Sequence, residues 1–297
     1  MRLPGRPTRF DYQAVDTDGR RLYLTHLGDS SLDVLDLDTL TVEAVVPRIA
    51  QVHGVAIAPE LGSVYASATG ADALVTIDAA TNRVTARTPT GAFPDGVAFD
   101  PERRLVFVSN KDDGTITMID ALTGKRDRTV ALGHEVGNVA VDEADGLVYA
   151  AVRPPDRLVA IDPRTGAITT RTRLGGCDGA HGVSVDVARQ RAFVACEKNR
   201  TLMVVDLARR KVTQRAVVGI APDVLAYDAT LERLYVASES GTVTTFDTND
   251  RGITALGEQR VGATAHSVSV DPSTHRVFFP LEDIRGHPVL RVMHPKT

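Results

Sequence analysis

Seven copies of one short pattern divide this chain into repeats of nearly constant length. Each copy runs from a short apolar strand through a turn into a second strand, as in HGVAIAPELGSVYASA from His53 and DGVAFDPERRLVFVSN from Asp95. The copies start near positions 11, 53, 95, 137, 181, 223 and 266, with separations of 42, 42, 42, 44, 42 and 43 residues. This period, with four strand-length segments per repeat, is typical of a propeller blade. The sequence therefore predicts an all-β, seven-bladed propeller with four-stranded antiparallel blades, and assigns residues 1–297 to a single domain.

The seventh repeat differs from the others because it ends soon after its third strand, in VLRVMHPKT. The N-terminal residues 2–9, RLPGRPTR, lie where a preceding fourth strand would end. Their two prolines permit only a short edge pairing, since proline donates no hydrogen bond to a neighbouring strand. We therefore expect the closing blade to be incomplete and effectively three-stranded.

Amino-acid composition and net charge indicate which kinds of binding partner this protein does not favour. The chain is 43% hydrophobic and 24% charged, which is typical of a globular protein. A net charge of -4 and a pI near 6.1 provide no overall attraction for nucleic acid or an anionic membrane. The N-terminus lacks the apolar run of a signal peptide, and no later stretch resembles a membrane span. We expect a cytoplasmic protein with no nucleic-acid or membrane partner, and the oligomeric state stays open.

Two cysteines, Cys177 and Cys196, are too few for a disulfide framework. In a reducing compartment the interpretation favoured by the sequence is a loop thiol for Cys177 and ordinary packing for Cys196. The two residues fall in one blade and on one face. A disulfide between them, or a role for Cys177 as a ligand or nucleophile, therefore remains open.

Aspartates recur at the end of the third strand of six repeats, ahead of Thr/Gly/Asn turns. An aspartate in this position accepts backbone N–H groups of its own turn. This interpretation makes them architectural, and it covers Asp36, Asp78, Asp120, Asp162, Asp206 and Asp247.

The position that opens the first strand behaves differently, because its residue type alternates between histidine and carboxylate. The first strand of a propeller blade is innermost, so equivalent residues of successive blades should converge at one mouth of the central channel. Six of the seven are ionisable, in the order Asp11, His53, Asp95, Gly137, His181, Asp223 and His266.

Three histidines among carboxylates form a plausible metal site, because imidazole binds transition metals and a neighbouring carboxylate orients each ring. We expect a divalent metal ion, with Fe, Zn, Mn, Cu and Ni not distinguished. The predicted metal ligands are His53, His181, His266 and Asp11, and the predicted catalytic residues are Asp95, Asp223 and His134. The loops bordering the same mouth contribute predicted substrate-binding residues, namely Lys111, Arg153, Glu197 and Glu239. Two alternatives stay open: a metal-free His/Asp catalytic centre, and a water-filled polar channel without a ligand.

The segment PDGVAFDPERRLVFVSNKDDGTITMIDALTGK resembles the bacterial propellers with YVTN-type repeats, and the resemblance covers nearly the whole chain. It implies the propeller fold but no particular reaction. The virginiamycin B lyase and gluconolactonase propellers use a divalent metal or histidines at this end of the channel. The nitrous oxide reductase propeller gathers histidines around copper. These resemblances imply only where chemistry would be located.

The function predicted from the sequence is a small-molecule enzyme of the lyase, hydrolase or cyclase type, with its site at the mouth of the channel. The alternative is a non-catalytic propeller that binds a protein or another ligand on its rim.

Overall fold

A computed structural model describes residues 1–295, and nearly all of its regular structure is β-strand. The chain divides into two compact units. One consists of Met1–Glu135 with Pro280–Arg291, and the other of Val136–Phe279 with residues 292–295.

The first unit contains the first three blades, each an antiparallel sheet whose strands follow chain order. Blade 1 consists of β1 (Gln13–Asp16), β2 (Arg21–His26), β3 (Ser31–Asp36) and β4 (Thr41–Val46). Blade 2 consists of β5 (Val52–Ala58), β6 (Ser63–Ala68), β7 (Ala73–Asp78) and β8 (Arg83–Pro89). Blade 3 consists of β9 (Pro94–Asp100), β10 (Leu105–Asn110), β11 (Thr115–Asp120) and β12 (Arg126–Ala131). Single-turn 3-10 helices occupy Leu27–Asp29, Pro59–Leu61 and Thr69–Ala71.

The second unit contains three further blades of the same design. Blade 4 consists of β13 (Glu135–Asp142), β14 (Leu147–Arg153), β15 (Arg157–Asp162) and β16 (Ala167–Arg173). Blade 5 consists of β17 (Ala180–Asp186), β18 (Arg191–Cys196), β19 (Thr201–Asp206) and β20 (Lys211–Val217). Blade 6 consists of β21 (Pro222–Asp228), β22 (Arg233–Ser238), β23 (Thr242–Asn249) and β24 (Gly252–Arg260).

Within residues 1–295, blade 7 has three strands, β25 (Ser269–Asp271), β26 (Arg276–Leu281) and β27 (Val289–Met293). The N-terminal segment contributes one isolated antiparallel bridge, between Arg2 and Val289. The incomplete closing blade predicted from the two prolines is therefore confirmed. The all-β, seven-bladed propeller is confirmed as the fold class, and the assignment of residues 1–297 to a single domain stays a prediction.

Burial follows strand order within a blade. The second and third strands are buried almost throughout, as in β6, where only the first of six residues is partly exposed. The fourth strand alternates between exposed and half-buried residues, as β8 does, because only one of its faces contacts a neighbouring blade. The first three strands therefore supply the core, and the fourth strand forms the solvated edge.

The strand-end aspartates stabilise the turns between third and fourth strands. The Oδ1 atom of Asp36 accepts the N–H groups of Asp38 and Thr39 at 2.8 and 2.6 Å. These hydrogen bonds, with that of the Thr39 hydroxyl, hold the pKa of Asp36 below its usual value. Asp120 accepts equivalent hydrogen bonds from Leu122 and Thr123. The architectural interpretation is confirmed for five aspartates, Asp36, Asp78, Asp120, Asp162 and Asp206. It does not hold for Asp247, because β23 continues through it to Asn249, and Asn249 Oδ1 accepts the turn N–H of Arg251. No helix within residues 1–295 has the length and hydrophobicity required to cross a bilayer.

Candidate functional site at the first residues of the inner strands

A β-bulge sets the position of four candidate residues near the start of their strands, whereas Asp11 and His266 precede β1 and β25. In blade 2 the pairing of β5 with β6 shifts between Val52 and Val55, so His53 and Gly54 oppose a single residue, Ser67. The same shift occurs at the matching position of blades 3, 5 and 6. A bulge turns the extra side chain away from the regular alternation of the strand. The repeated bulge therefore gives Asp95, His181 and Asp223 the same local setting as His53.

The glycine after the bulged residue lets two neighbouring first strands approach closely. A Cβ on Gly54 would overlap the main-chain oxygen of Asp95, and one on Gly182 would overlap that of Asp223. The hydroxyl of Ser67 accepts the Gly54 N–H and donates to the Asp95 oxygen, both at 2.7 Å. The strand starts are thus in direct backbone contact within each unit.

His53 is the central residue of the candidate site in the first unit. Its Nδ1 lies 2.8 Å from the Gln51 carbonyl oxygen and 2.7 Å from Thr69 Oγ1. Because the Thr69 hydroxyl donates its hydrogen to the Pro94 oxygen, both partners of Nδ1 are acceptors. The ring proton therefore belongs on Nδ1, and Nε2 carries the lone pair.

Carboxylates accompany His53 as the alternation in the sequence predicted. Its Nε2 lies 3.6 Å from Oδ2 of Asp11, with 16% of the imidazole side chain exposed. Burial lowers the pKa of His53, and the negative charge of Asp95 opposes this effect. The imidazole is consequently neutral at neutral pH and lies close to two carboxylates that would stabilise its charged form.

Phe93 and Lys111 form the adjacent rim in the first unit. The Phe93 ring is tilted against the His53 imidazole, with centroids 5.3 Å apart. The Lys111 ammonium lies 5.2 Å above the centre of the Phe93 ring and 3.8 Å from Oε1 of Glu135. An apolar wall, a cation and a neutral base thus occupy one region.

The second unit pairs its histidines with carboxylates as well. His181 Nε2 lies 3.2 Å from Oδ1 of Asp223. His266, only 1% exposed, directs Nδ1 at the Thr264 carbonyl oxygen at 2.8 Å and lies 3.6 Å from Oε2 of Glu239. Its Nε2 is buried and has no hydrogen-bond partner among residues 1–295.

Arg153 and Glu197 form an ion pair with each other. Arg153 also donates to the Gly179 carbonyl oxygen at 3.4 Å, and the Glu197 N–H donates to the same oxygen at 2.9 Å. Both residues therefore hold the loop that precedes His181. Their predicted contact with substrate stays a prediction.

His134, the predicted additional base, is exposed in the loop before β13. Its backbone packs on Gly114, where a Cβ would come within 2.9 Å of the His134 nitrogen. The catalytic role of His134 likewise stays a prediction.

Cys177 and Cys196 form a disulfide, so the preference for two thiols is wrong. The bond joins the loop before His181 to the last residue of β18. Sequence spacing did not separate these alternatives, because the loop conformation that brings the two sulfur atoms together is set by tertiary packing.

Three residues of the site were not predicted from the sequence, namely Gln51, Thr69 and Phe93. Their residue types do not repeat at the equivalent positions of other blades, so periodicity carried no signal for them.

The fold and the site define a β-propeller with paired histidines and carboxylates at the starts of its inner strands. Residues 56–280 match the family model described as "Cytochrome D1 heme domain", and the chain belongs to that family. The prediction of YVTN-type repeats is supported only in its coarser part, the propeller.

Solved structures show the same fold at low sequence identity. The Kuenenia stuttgartiensis hydrazine synthase chain superposes with a TM-score of 0.86 at 15% identity, covering 98% of this chain and 97% of that one. The WD40 repeats of RRP9 superpose with a TM-score of 0.83 at 11% identity, covering 98% and 96%. U3-55K gives a TM-score of 0.83 at 11% identity, covering 98% and 97%. No curated protein sequence matches the chain.

The expectation of a simple divalent metal ion is wrong, because the family match points to heme as the cofactor of this class. A histidine that binds heme iron must present a ring nitrogen to a flat macrocycle. Here a carboxylate oxygen lies 3.6 Å from His53 Nε2 and 3.2 Å from His181 Nε2, while His266 is buried. At His53 and His181 a carboxylate thus lies beside the ring nitrogen that would bind the iron, and burial separates His266 from solvent. These three histidines therefore do not fit the role of a ligand to heme iron.

Proposed function

We propose that the first unit contains an acid–base site for a small organic anion, with His53 as the proton acceptor. The observation that carries this proposal is the fixed tautomer of His53. Both of its hydrogen-bonding contacts fall on Nδ1, and Nε2 keeps its lone pair beside Asp11. A neutral imidazole with an available lone pair is the form that removes a proton from a substrate.

The neighbouring residues supply the remaining requirements of such a reaction. When His53 takes up a proton, Asp11 at 3.6 Å and Asp95 would stabilise the imidazolium formed. Lys111 is 3.8 Å from Glu135, which is longer than a hydrogen bond, so its ammonium can bind a substrate carboxylate or phosphate. Phe93 would cover an apolar part of the same molecule. The reaction class supported by these groups is proton abstraction, as in a lyase.

The test begins with a thermal-shift screen of small carboxylates and phosphates, followed by mass spectrometry to detect turnover of each ligand that binds. We expect His53→Gln to keep binding and to lose at least about a hundredfold in turnover, the scale of general-base catalysis. Lys111→Met should weaken binding about tenfold, whereas the matched control Lys125→Met, at an exposed lysine elsewhere in blade 3, should not.

Because the pKa of His53 is lowered, turnover should rise with pH through a value below 6.5. Full turnover by His53→Gln would refute the proposed base. Binding without turnover by the unmodified protein would favour the rim-binding scaffold instead.

A heme titration followed by absorbance separates this proposal from a heme-binding function, which the family match favours. We expect that any Soret change seen with the unmodified protein is also seen when His53, His181 and His266 are replaced together. A stoichiometric, histidine-dependent Soret band would overturn the argument from the carboxylate distances.

The cellular location stays a prediction. The Cys177–Cys196 disulfide is typical of oxidising compartments, so it weighs against the cytoplasmic expectation. Cell fractionation with thiol labelling would decide between them.

A further inference from the structure

A cleft of about 620 Å³ lies in the second unit beside the incomplete blade. Blade 6 contributes Tyr235, Val243 and Leu256 to its lining, and blade 7 contributes Phe279 and Met293. One side is therefore largely apolar, and main chain of two blades borders the space.

The outer strand facing this cleft is unusually exposed. In β8, β16 and β20 every second residue is at least half-buried against a neighbouring blade. In β24 the seven residues from Thr254 to Arg260 are all exposed, and Leu256 is 53% exposed. β24 thus lacks the cover that β8, β16 and β20 have.

One side chain at the cleft, Arg233, lacks the partner that its equivalents in blades 1 and 5 possess. Arg21 of blade 1 donates to the Ala79 carbonyl oxygen at 2.8 Å, in the turn between the third and fourth strands of blade 2. Arg191 of blade 5 donates in the same way to the Asn249 oxygen of blade 6 at 2.8 Å. At the equivalent position of blade 6, the Nε of Arg233 is buried and has no hydrogen-bond partner among residues 1–295.

Tyrosines at the equivalent position do not all follow this difference, because the buried Tyr23 hydroxyl of blade 1 also has no partner among residues 1–295. The Tyr65 hydroxyl of blade 2 donates to the Ala121 oxygen of the next blade at 3.3 Å. Tyr235 of blade 6 is only 4% exposed, and its hydroxyl has no partner within the described part of the chain. Burial raises the pKa of Tyr235 to about 12. A buried donor without an acceptor is costly and therefore favours a ligand that supplies one.

The groups absent from this cleft are those of a turn followed by a fourth strand. Residues 1–295 supply no such strand to blade 7, where Met1 pairs with Leu290 and Arg2 with Val289, at the beginning of β27. β27 continues to Met293, beside the cleft.

We propose that this cleft binds an extended peptide segment of a partner protein as the fourth strand of blade 7. The segment would pair antiparallel with the end of β27, and its main-chain carbonyl groups would accept hydrogen bonds from Arg233 and Tyr235. Apolar side chains at alternate positions would cover Leu256. Strand addition to a sheet edge is a common mode of peptide recognition, in which main-chain hydrogen bonds and alternate side chains both contribute.

The chain itself provides a concrete probe. Residues 78–89, DAATNRVTARTP, form the turn and fourth strand of blade 2, and they include the Ala79 carbonyl that binds Arg21. A fluorescent peptide of this sequence is titrated into the protein and followed by polarisation. The control peptide carries proline in place of Val84 and Ala86, which removes strand hydrogen bonds.

We expect saturable binding of the first peptide and at least tenfold weaker binding of the proline peptide. Leu256→Lys should weaken binding at least tenfold, and Tyr235→Phe two- to fivefold. The matched control Leu122→Lys, at another exposed leucine, should leave it unchanged. Hydrogen exchange should slow in Val292 and Met293 when the peptide binds.

A second measurement tests the proposal even if the free peptide binds too weakly to be detected. The same twelve residues are fused to the C-terminus through a flexible linker, which raises their effective concentration. We expect a higher melting temperature than for the proline version of the fusion. Equal melting temperatures would overturn the proposal. So would light scattering that finds a dimer abolished by Leu256→Lys, since a second copy would then occupy the cleft.

Discussion

Replacement of Asp33 by asparagine should stabilise this protein at neutral and alkaline pH but not in acid. Asp33 lies in β3 with 0% of its surface exposed, and neither carboxylate oxygen accepts a hydrogen bond from residues 1–295. Burial, together with the charge of Asp29, raises the pKa of Asp33 to about 7, and the nearby Ser31 hydroxyl opposes this only in part.

The other groups around Asp33 do not compensate its charge. His26 Nδ1 lies 3.8 Å from Oδ2 of Asp33, too far for a hydrogen bond, and burial lowers the pKa of His26. On its other side His26 stacks on Phe10, with centroids 4.1 Å apart, and contacts Thr8 Oγ1 at 3.0 Å. Arg6 pairs with Asp29 at 2.6 Å, so its charge is already matched.

The magnitude follows from the difference between the folded and unfolded states. The folded pKa is raised, so the favourable contribution of the protonated carboxyl is complete below pH 3.8 and is lost as pH rises to about 7. A pKa change from 3.8 to about 7 corresponds to about 4 kcal/mol, and partial relaxation would leave about 2–4 kcal/mol. Asparagine has nearly the same shape and does not ionise, so it avoids this loss.

The assay is urea unfolding of the unmodified protein and of Asp33→Asn between pH 4 and pH 9. The variant should gain stability relative to the unmodified protein as pH rises to about 7 and keep a constant advantage above it. Asp36→Asn is the control, and its effect on the free energy of unfolding should have the opposite sign. The pKa of Asp36 is depressed, so that variant should be the less stable above the ordinary carboxyl pKa and equal to the unmodified protein in acid. A difference between Asp33→Asn and the unmodified protein that does not change with pH would refute the reasoning.

Two further predictions concern covalent and steric constraints. Replacing both Cys177 and Cys196 by serine should lower the unfolding free energy by about 3 kcal/mol, because the disulfide closes a loop with a sequence separation of 19 residues. Unfolding of the unmodified protein with and without reductant checks this, and an unchanged transition would contradict it. Gly182→Ala should destabilise the protein by at least about 2 kcal/mol, since the new Cβ overlaps the Asp223 backbone oxygen. Gly175→Ala, where a Cβ meets nothing within 4 Å, is its control, and equal melting temperatures for the two variants would show that the strand starts can separate.

The repeat pattern predicted the carboxylate neighbours of two histidines at the site. The alternation of histidine and carboxylate predicted that His53 has Asp11 beside it and that His181 has Asp223, and both pairs lie within 3.6 Å. The same alternation led to the prediction of a simple divalent metal ion as cofactor. That prediction is wrong, because the chain belongs to the Cytochrome D1 heme domain family. Residue types alone did not reveal how close the carboxylate oxygens lie to the histidine nitrogens.

Sequence by itself determined the fold class and the place of the candidate site. A period of about 42 residues and strand-length apolar segments recur in all seven repeats. An aspartate stabilises the turn after the third strand in blades 1 to 5 through local hydrogen bonds. Only the tertiary structure decided the Cys177–Cys196 pairing, the burial of Asp33 and the lack of an acceptor for Tyr235. These properties depend on which atoms of distant segments meet after packing. Long-range contacts of that kind leave no periodic trace in the chain.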